Sequence, residues 1–152
     1  LFQNLDGHSF KEVSGPAGVD NDKDGRGIGV GDFDNDGKLD FYQANADQDS
    51  QLYHNISTGT GHWITLKLEG TKSNRDGIGA RVTVKTASRT VIREADGGNG
   101  YAGQSSARVH IGLGADTAIQ SIEIHWPSGI KQTVTVPIDT ITTIREQAAG
   151  TK

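Results

Sequence analysis

The sequence predicts an all-β protein in two parts, a short repeat-like region over residues 1–58 and a small antiparallel β-sandwich over residues 59–152. Short runs of β-branched residues alternate apolar and polar positions with the period of a strand. The 21 glycines punctuate these runs, and no segment sustains the 3.6-residue period of a helix. This turn-rich composition is typical of a globular β protein.

The first region contains an internal echo. "LFQN" at residues 1–4 recurs as "LYHN" at residues 52–55, an offset of 51 residues. Repeats of this length are typical of β-propeller blades and related arrays. Three strand candidates lie between the two copies, namely "FKEV", "GIGVGDF" and "LDFYQA". We therefore interpret residues 1–58 as a propeller-blade-like repeat.

A candidate metal loop, "GDFDNDGKLD", joins the last two of these strand candidates. Its carboxylates repel one another unless a cation lies among them. Oxygen ligands at positions 1, 3, 5, 7 and 9, with glycine at position 6, suit Ca²⁺, which takes six to eight oxygens. The predicted ligands are the side chains of Asp32, Asp34, Asp36 and Asp40 and the carbonyl of Lys38.

The loop is not an EF-hand. An EF-hand has a glutamate at position 12 and flanking helices, whereas position 12 here is Gln43 and the flanking segments read as strands. A second, weaker candidate has the same aspartate spacing at Asp20, Asp22 and Asp24. Its ninth position is Ile28, which cannot ligate, so an acidic turn softened by nearby basic side chains is the alternative.

The second region follows a plausible linker at residues 58–61 and consists of alternating strands. The segments "HWITLKLEG", "ARVTVKT", "ARVHIGLG", "IQSIEIHW" and "KQTVTVPI" each place apolar side chains on one face, and "TITTIRE" ends the pattern. "WPSG" at residues 126–129 has proline and glycine where a type I turn takes them. We expect about seven antiparallel strands here. The polar loop "SNRDGIGAR" is either a ligand-binding loop through Arg75 and Asp76 or a hairpin turn.

Composition and charge exclude several functional classes. Residues 1–54 carry eleven acidic and four basic side chains, so the chain lacks the positive footprint of a nucleic-acid-binding protein. No apolar run is long enough to span a bilayer, and the absence of cysteine excludes disulfides and thiol catalysis. The chain begins at Leu1 and contains no methionine, which predicts a processed product or a piece of a longer protein.

Two families resemble the sequence. "GVGDFDNDGKLDFYQAN", flanked by "LFQNLDGHSF" and "LYHN", resembles the FG-GAP/VCBS repeat of integrin-like propellers and bacterial surface proteins. "HWITLKLEGTKSNRDGIGARVTV", "READGGNGYAGQSS", "VHIGLG" and "IEIHWPSG" resemble the ASPIC/UnbV domain, which commonly follows such repeats. The first resemblance implies calcium ligation at Asp32, Asp34, Asp36 and Asp40. The second offers no established catalytic residues to transfer to this chain.

These observations predict a non-catalytic, calcium-stabilised structural or interaction module that is secreted or displayed on a cell surface. It would serve adhesion or assembly with protein partners, further repeats or copies of itself. A carbohydrate-binding or enzyme-accessory domain is the alternative. No HExxH motif, nucleophile elbow or local catalytic triad is present. The sequon at Asn55 is meaningful only in a glycosylating host.

A lone blade has two exposed edges and one apolar face, which makes it marginal in water. We expect the sandwich to cover one side through Phe33, Phe41 and Tyr42. The remaining edge, together with residues 1–4, would then offer unpaired backbone groups to another molecule.

Overall fold

A computed structural model describes residues 1–147, which form twelve strands and no helix. None of these residues therefore builds a helix long and apolar enough to cross a membrane. The strands are β1 (Phe2–Asn4), β2 (Phe10–Glu12), β3 (Gly25–Gly31), β4 (Asp40–Asn45), β5 (Gln48–Tyr53), β6 (His62–Glu69), β7 (Arg81–Thr86), β8 (Thr90–Glu94), β9 (Val109–Gly114), β10 (Ile119–His125), β11 (Lys131–Val134) and β12 (Thr140–Arg145).

The first region, residues 1–58, contains two small antiparallel sheets. Strands β1 and β2 form an isolated hairpin, and β3, β4 and β5 form a three-stranded sheet in that order. The three strand candidates of this region are confirmed, whereas most of β5 was not foreseen. Strand β4 is central, so β3 and β5 are the edges of this sheet. The division of the chain at residue 58 stays a prediction.

The second region, residues 59–147, contains two sheets in the orders β11-β10-β7-β8 and β12-β6-β9. Their inward side chains form one apolar cluster, so the predicted seven-stranded sandwich is confirmed. Strand β12 pairs with β6 in parallel, which corrects the expectation of a wholly antiparallel fold. A parallel pair needs a long connection between its strands, and here that connection is the rest of the sandwich. The hydrogen bond from the Gly129 amide to the Trp126 carbonyl confirms the "WPSG" turn.

The apolar core lies wholly in the second region. Among residues 1–147, all fifteen buried apolar side chains fall between Ile64 and Ile144. In the first region the buried residues are three glycines and one acid, Asp40. Burial of apolar side chains is the dominant favourable term in folding. The first region buries none, so this term contributes little to its stability.

A buried carboxylate just after β12 connects two loops of the sandwich. Glu146 is 2% exposed and accepts hydrogen bonds from the amides of residues 71, 72 and 73 at 2.7–2.8 Å. The hydroxyls of Ser73 and Ser128 donate to its other oxygen. Burial raises the pKa of Glu146, but these hydrogen bonds outweigh burial and lower the pKa to about 2. The side chain is thus an ionised internal anchor.

Candidate metal centre

The acidic loop lies between the end of β3 at Gly31 and the start of β4 at Asp40. Asn35 and Gly37 adopt left-handed backbone conformations, with φ of 62° and 87°. Asparagine tolerates this region better than most residues, and glycine adopts it without steric cost. The loop therefore reverses tightly, as the spacing of its aspartates requires.

Three of the predicted ligands converge. One carboxylate oxygen from each of Asp32, Asp34 and Asp40 lies within 4.8 Å of the others. Two oxygens that bind the same Ca²⁺ at 2.3–2.6 Å lie at most about 5 Å apart. The three side chains therefore fit a calcium ion between them, and they supply the hard oxygen donors that this ion prefers.

Asp40 is the buried member of this group, with 2% of its surface exposed. One of its oxygens accepts the Phe33 amide at 3.1 Å, and the other accepts the Asn55 amide at 2.7 Å. The side chain of Asn55 also donates to the Leu39 carbonyl at 3.2 Å. Asp40 thus joins the loop, β4 and the segment after β5. The sequon asparagine is part of this frame, which the sequence did not reveal.

The loop backbone orients the other two carboxylates. Asp32 accepts the amides of Asp36 and Gly37, both at 3.0 Å, with its two oxygens. Asp34 also accepts the Asp36 amide, at 3.2 Å. These bonds hold both carboxylates over the inside of the turn, where a carboxylate keeps acceptor capacity beyond one bond per oxygen.

Asp36 lies in a neighbouring cluster. Its carboxylate forms an ion pair with the Lys38 ammonium at 2.6 Å. The hydrogen bond from Lys38 lowers the pKa of Asp36, and the same bond raises the pKa of Lys38. Ligand atoms of Asp34, Asp36 and His54 lie within 4.8 Å of one another. Ligation by Asp36 and by the Lys38 carbonyl stays a prediction.

His54 is a neighbour of the loop that sequence reasoning missed. Its Nε2 lies 3.1 Å from an oxygen of Asp34, across twenty residues of chain. The echo "LYHN" was the available signal, because β5 pairs with β4 and thereby returns residue 54 to the level of Asp40. His54 is exposed.

The second candidate, Asp20, Asp22 and Asp24, stays a prediction. All three side chains are exposed, and none belongs to either group of converging ligand atoms among residues 1–147. Asp24 instead forms an ion pair with Arg26 at 2.7 Å. This pair softens the repulsion in the acidic turn, as the alternative interpretation expects.

The polar loop at residues 73–81 is organised as a turn. The Asn74 side chain accepts the Ile78 amide at 2.8 Å and donates to the Ile78 carbonyl at 2.7 Å, and the Gly77 amide donates to the Asn74 carbonyl at 3.0 Å. This bonding favours the hairpin-turn interpretation over a ligand-binding loop.

The sandwich touches the metal loop at two points. Gly37 packs against the indole of Trp63, so that a methyl group added at Gly37 would lie 2.0 Å from ring atoms. The Arg108 guanidinium donates to Asn35 at 2.6 Å. Trp63 itself stacks on His110 with the ring centroids 6.0 Å apart. Burial lowers the pKa of His110, while the charge of Asp32 raises it.

A loop of the sandwich also follows the edge strand β3. The Ser106 amide donates to the Val30 carbonyl at 2.7 Å, and the Val30 amide donates to the Ser105 hydroxyl at 3.2 Å. The positions of β3 that face this loop are glycines. A methyl group at Gly27 would lie 2.7 Å from a carbonyl oxygen of the loop, and one at Gly29 would lie 3.0 Å from another. The alternating glycines of "GRGIGVG" were the overlooked signal for a close backbone approach.

The expected cover through aromatic side chains is wrong for two of the three. Phe33 and Tyr42 remain 55% and 45% exposed. Phe41 stacks on Tyr53 within the first region, with the ring centroids 4.5 Å apart. The physical reason is that the sandwich approaches β3 mainly by backbone contact at its glycines, so Phe33 and Tyr42 line an open groove beside residues 104–106 and are not covered.

Comparison with known proteins identifies the second region. A family model described as "ASPIC and UnbV" matches residues 70–151. Cartilage acidic protein 1 of Xenopus tropicalis is 35% identical over 126 residues, which cover 79% of this chain and 19% of that protein. The proteins of the same name from Mus musculus and Homo sapiens are each 33% identical over 112 residues, covering 70% of this chain and 17% of theirs.

The matched segment thus spans less than a fifth of each relative. The resemblance of the second region is confirmed, and the resemblance of the first region to FG-GAP/VCBS repeats stays a prediction. The matched residues extend over most of the sandwich from the end of β6 onward. This chain therefore belongs to the ASPIC and UnbV family.

Proposed function

We propose that this chain is a non-catalytic, calcium-stabilised structural module that acts outside the cell. The observation that carries the proposal is the convergence of Asp32, Asp34 and Asp40 around a point that suits a Ca²⁺ ion. A bound Ca²⁺ would offset two of the three carboxylate charges and so relieve most of their mutual repulsion. The chain's own residues orient those carboxylates through the loop amides and keep Asp40 out of water.

The lack of an apolar core in the first region supports a stabilising role for the ion. A ligand that binds only the folded state adds its binding free energy to folding. Extracellular calcium modules bind with dissociation constants of about 10⁻⁴ to 10⁻³ M. At about 10 mM calcium this range corresponds to a gain of about 1–3 kcal/mol.

The names of the relatives support the remaining parts of the proposal. "Cartilage acidic protein 1" describes a tissue and a charge rather than a reaction, which favours a role without catalysis. Cartilage in the name favours a location outside the cell. The acidic first region of this chain matches that description, since eleven of the chain's nineteen acidic side chains lie within residues 1–54.

Calcium titration tests the proposal. We expect calorimetry to detect binding and calcium to raise the melting temperature by several degrees. Asp34→Asn should abolish both effects, because it removes a converging ligand. Asp49→Asn is the matched control, since Asp49 is an exposed aspartate outside the converging groups. Failure of the wild-type chain to bind calcium, or equal effects of the two substitutions, would contradict the proposal.

The free edges support assembly as the use of this module. Strand β5 pairs only with β4 among the described residues, and β1 pairs only with β2, so both present backbone groups to a partner. Further repeats or copies of the same chain are the proposed partners. Sedimentation of the calcium-loaded chain tests this. A strict monomer at high concentration, unaffected by deletion of residues 1–4, would contradict assembly of copies.

A groove between the two regions favours the second candidate, a carbohydrate-binding accessory domain. Phe33, Tyr42 and Leu52 line it together with the polar side chains of residues 104–106. Sugars combine apolar faces with hydroxyl groups, and such mixed grooves bind them. Titration with soluble oligosaccharides, repeated with Tyr42→Ala, tests this candidate. Binding that survives the substitution would place the sugar elsewhere.

A further inference from the structure

The first region has two sources of stability on which to rely. It lacks buried apolar side chains, and its acidic loop suits an ion. A bound ion would be the first source. Contact with the sandwich is the second, and it involves the metal loop and β3, the strand that leads into the loop. The candidate ion site is therefore in contact with residues of the sandwich that are distant in sequence.

The first contact involves a residue of β6 whose backbone is bonded to a distant part of the sandwich. Trp63, on which Gly37 packs, is tied to Asp139 by two hydrogen bonds: its amide donates to the Asp139 carboxylate at 3.1 Å, and its carbonyl accepts the Asp139 amide at 2.7 Å. Gly37 is adjacent to the predicted carbonyl ligand Lys38. These bonds hold the backbone of Trp63, and its indole lies against the middle of the metal loop.

The second and third contacts restrain the two sides of the loop. Arg108 donates to Asn35, which lies between the predicted ligands Asp34 and Asp36. Ser106 donates to Val30, two residues before Asp32. Residues 106 and 108 precede β9, whose apolar side chains Val109 and Ile111 are part of the core. The segment that contacts the metal loop and β3 is therefore continuous with a core strand of the sandwich.

We infer that Trp63, Arg108 and the segment Ala102–Ser106 are positioning elements of the calcium site, so that ion binding and docking of the two regions are thermodynamically coupled. The inference rests on the proposed function, because it concerns the same site. Coupling of this kind is reciprocal: what fixes the loop increases calcium affinity, and calcium in turn strengthens the docking.

A double-mutant cycle on the Asn35–Arg108 contact tests the inference. Removing Arg108 also removes a positive charge that repels calcium, and this charge effect cancels when Asn35→Gly is compared with and without Arg108→Ala. Glycine suits residue 35 because φ there is 62°. We expect Asn35→Gly to weaken calcium binding about threefold or more in the wild-type background and to have a clearly smaller effect in the Arg108→Ala background.

Hydrogen exchange provides a second measurement that does not depend on a variant. Calcium should slow exchange of the Ser106 amide, which donates to Val30, while leaving the core amide of Ile122 unchanged. If the wild-type chain binds calcium but the two substitutions act additively and Ser106 exchange is unaltered, the inference fails and the proposed function stands. If the wild-type chain binds no calcium, both fail.

Discussion

The two regions each bury one carboxylate, and they treat it differently. Asp40 and Glu146 are both 2% exposed. Glu146 accepts five hydrogen bonds from its own sandwich, whereas Asp40 accepts two and lies beside the carboxylates of Asp32 and Asp34. A carboxylate has about four acceptor sites. The protein therefore saturates Glu146 but leaves Asp40 with capacity for a cation, which distinguishes a structural acid from a candidate ligand.

The largest expected effect comes from neutralising Glu146. Glu146→Gln should lower the free energy of unfolding at pH 7 by about 3 kcal/mol, since an amide cannot accept all the donors that converge on the carboxylate. Chemical denaturation measures the change. Glu94→Gln is the control, because Glu94 is exposed on β8. The calcium-induced gain should survive Glu146→Gln, and equal effects of the two substitutions would contradict the contrast with Asp40.

The pH dependence of the same comparison follows from the lowered pKa of Glu146. The pKa falls from 4.5 to about 2 on folding, so the stabilisation is complete above the unfolded value and is lost as the pH falls toward the folded value. The stability difference between wild type and Glu146→Gln should therefore be about 3 kcal/mol at pH 7 and less than half of that by about pH 3. A difference that stays constant with pH would show that the carboxylate charge is not responsible.

The alternating pattern predicted the sandwich well because its strands bury one face. The inward positions Ile64, Leu66, Val82 and Val84 are all 0% exposed, as the period of two requires. The same alternation puts Thr65 on the opposite face of β6, yet Thr65 is 1% exposed. Its hydroxyl meets His110 at 3.0 Å, on the face that also carries the Trp63 contact with the first region. Alternation reports one buried face and cannot report a second region that covers the other.

The acidic loop was predictable because its ligands are local in sequence, whereas its surroundings were not. The spacing of Asp32, Asp34 and Asp40 appears within nine residues, but the Asn55 donor to Asp40 and the donors to Glu146 lie outside the loop and are brought in only by folding. In the sequence Glu146 is simply the last residue of "TITTIRE", the segment that ends the alternating pattern. Nothing in its neighbourhood along the chain indicates the three consecutive amides, 73–75 residues away, that bind it.

A smaller effect should separate backbone strain from contact between the regions. Gly37 and Gly129 have φ of 87° and 88°, but only Gly37 faces a neighbouring group, the Trp63 indole. Alanine at either position costs about 1–2 kcal/mol for the left-handed conformation. Gly37→Ala should cost more than Gly129→Ala and should weaken calcium binding, because the methyl group displaces the loop from the indole. Equal losses of stability with unchanged calcium affinity would contradict the contact.

The smallest expected effect concerns the edge of the first region. Ser105 accepts the Val30 amide at 3.2 Å and donates to Asn99 at 3.0 Å, so Ser105→Ala leaves a backbone donor of β3 without its protein acceptor. The free energy of opening at Val30 should fall by about 1 kcal/mol, which hydrogen exchange measures as faster exchange of that amide. Ser50→Ala, on the exposed strand β5, is the control and should leave Val30 unchanged. If both variants exchange like wild type at Val30, β3 does not depend on the sandwich for this bond, and the first region is more self-sufficient than its missing core implies.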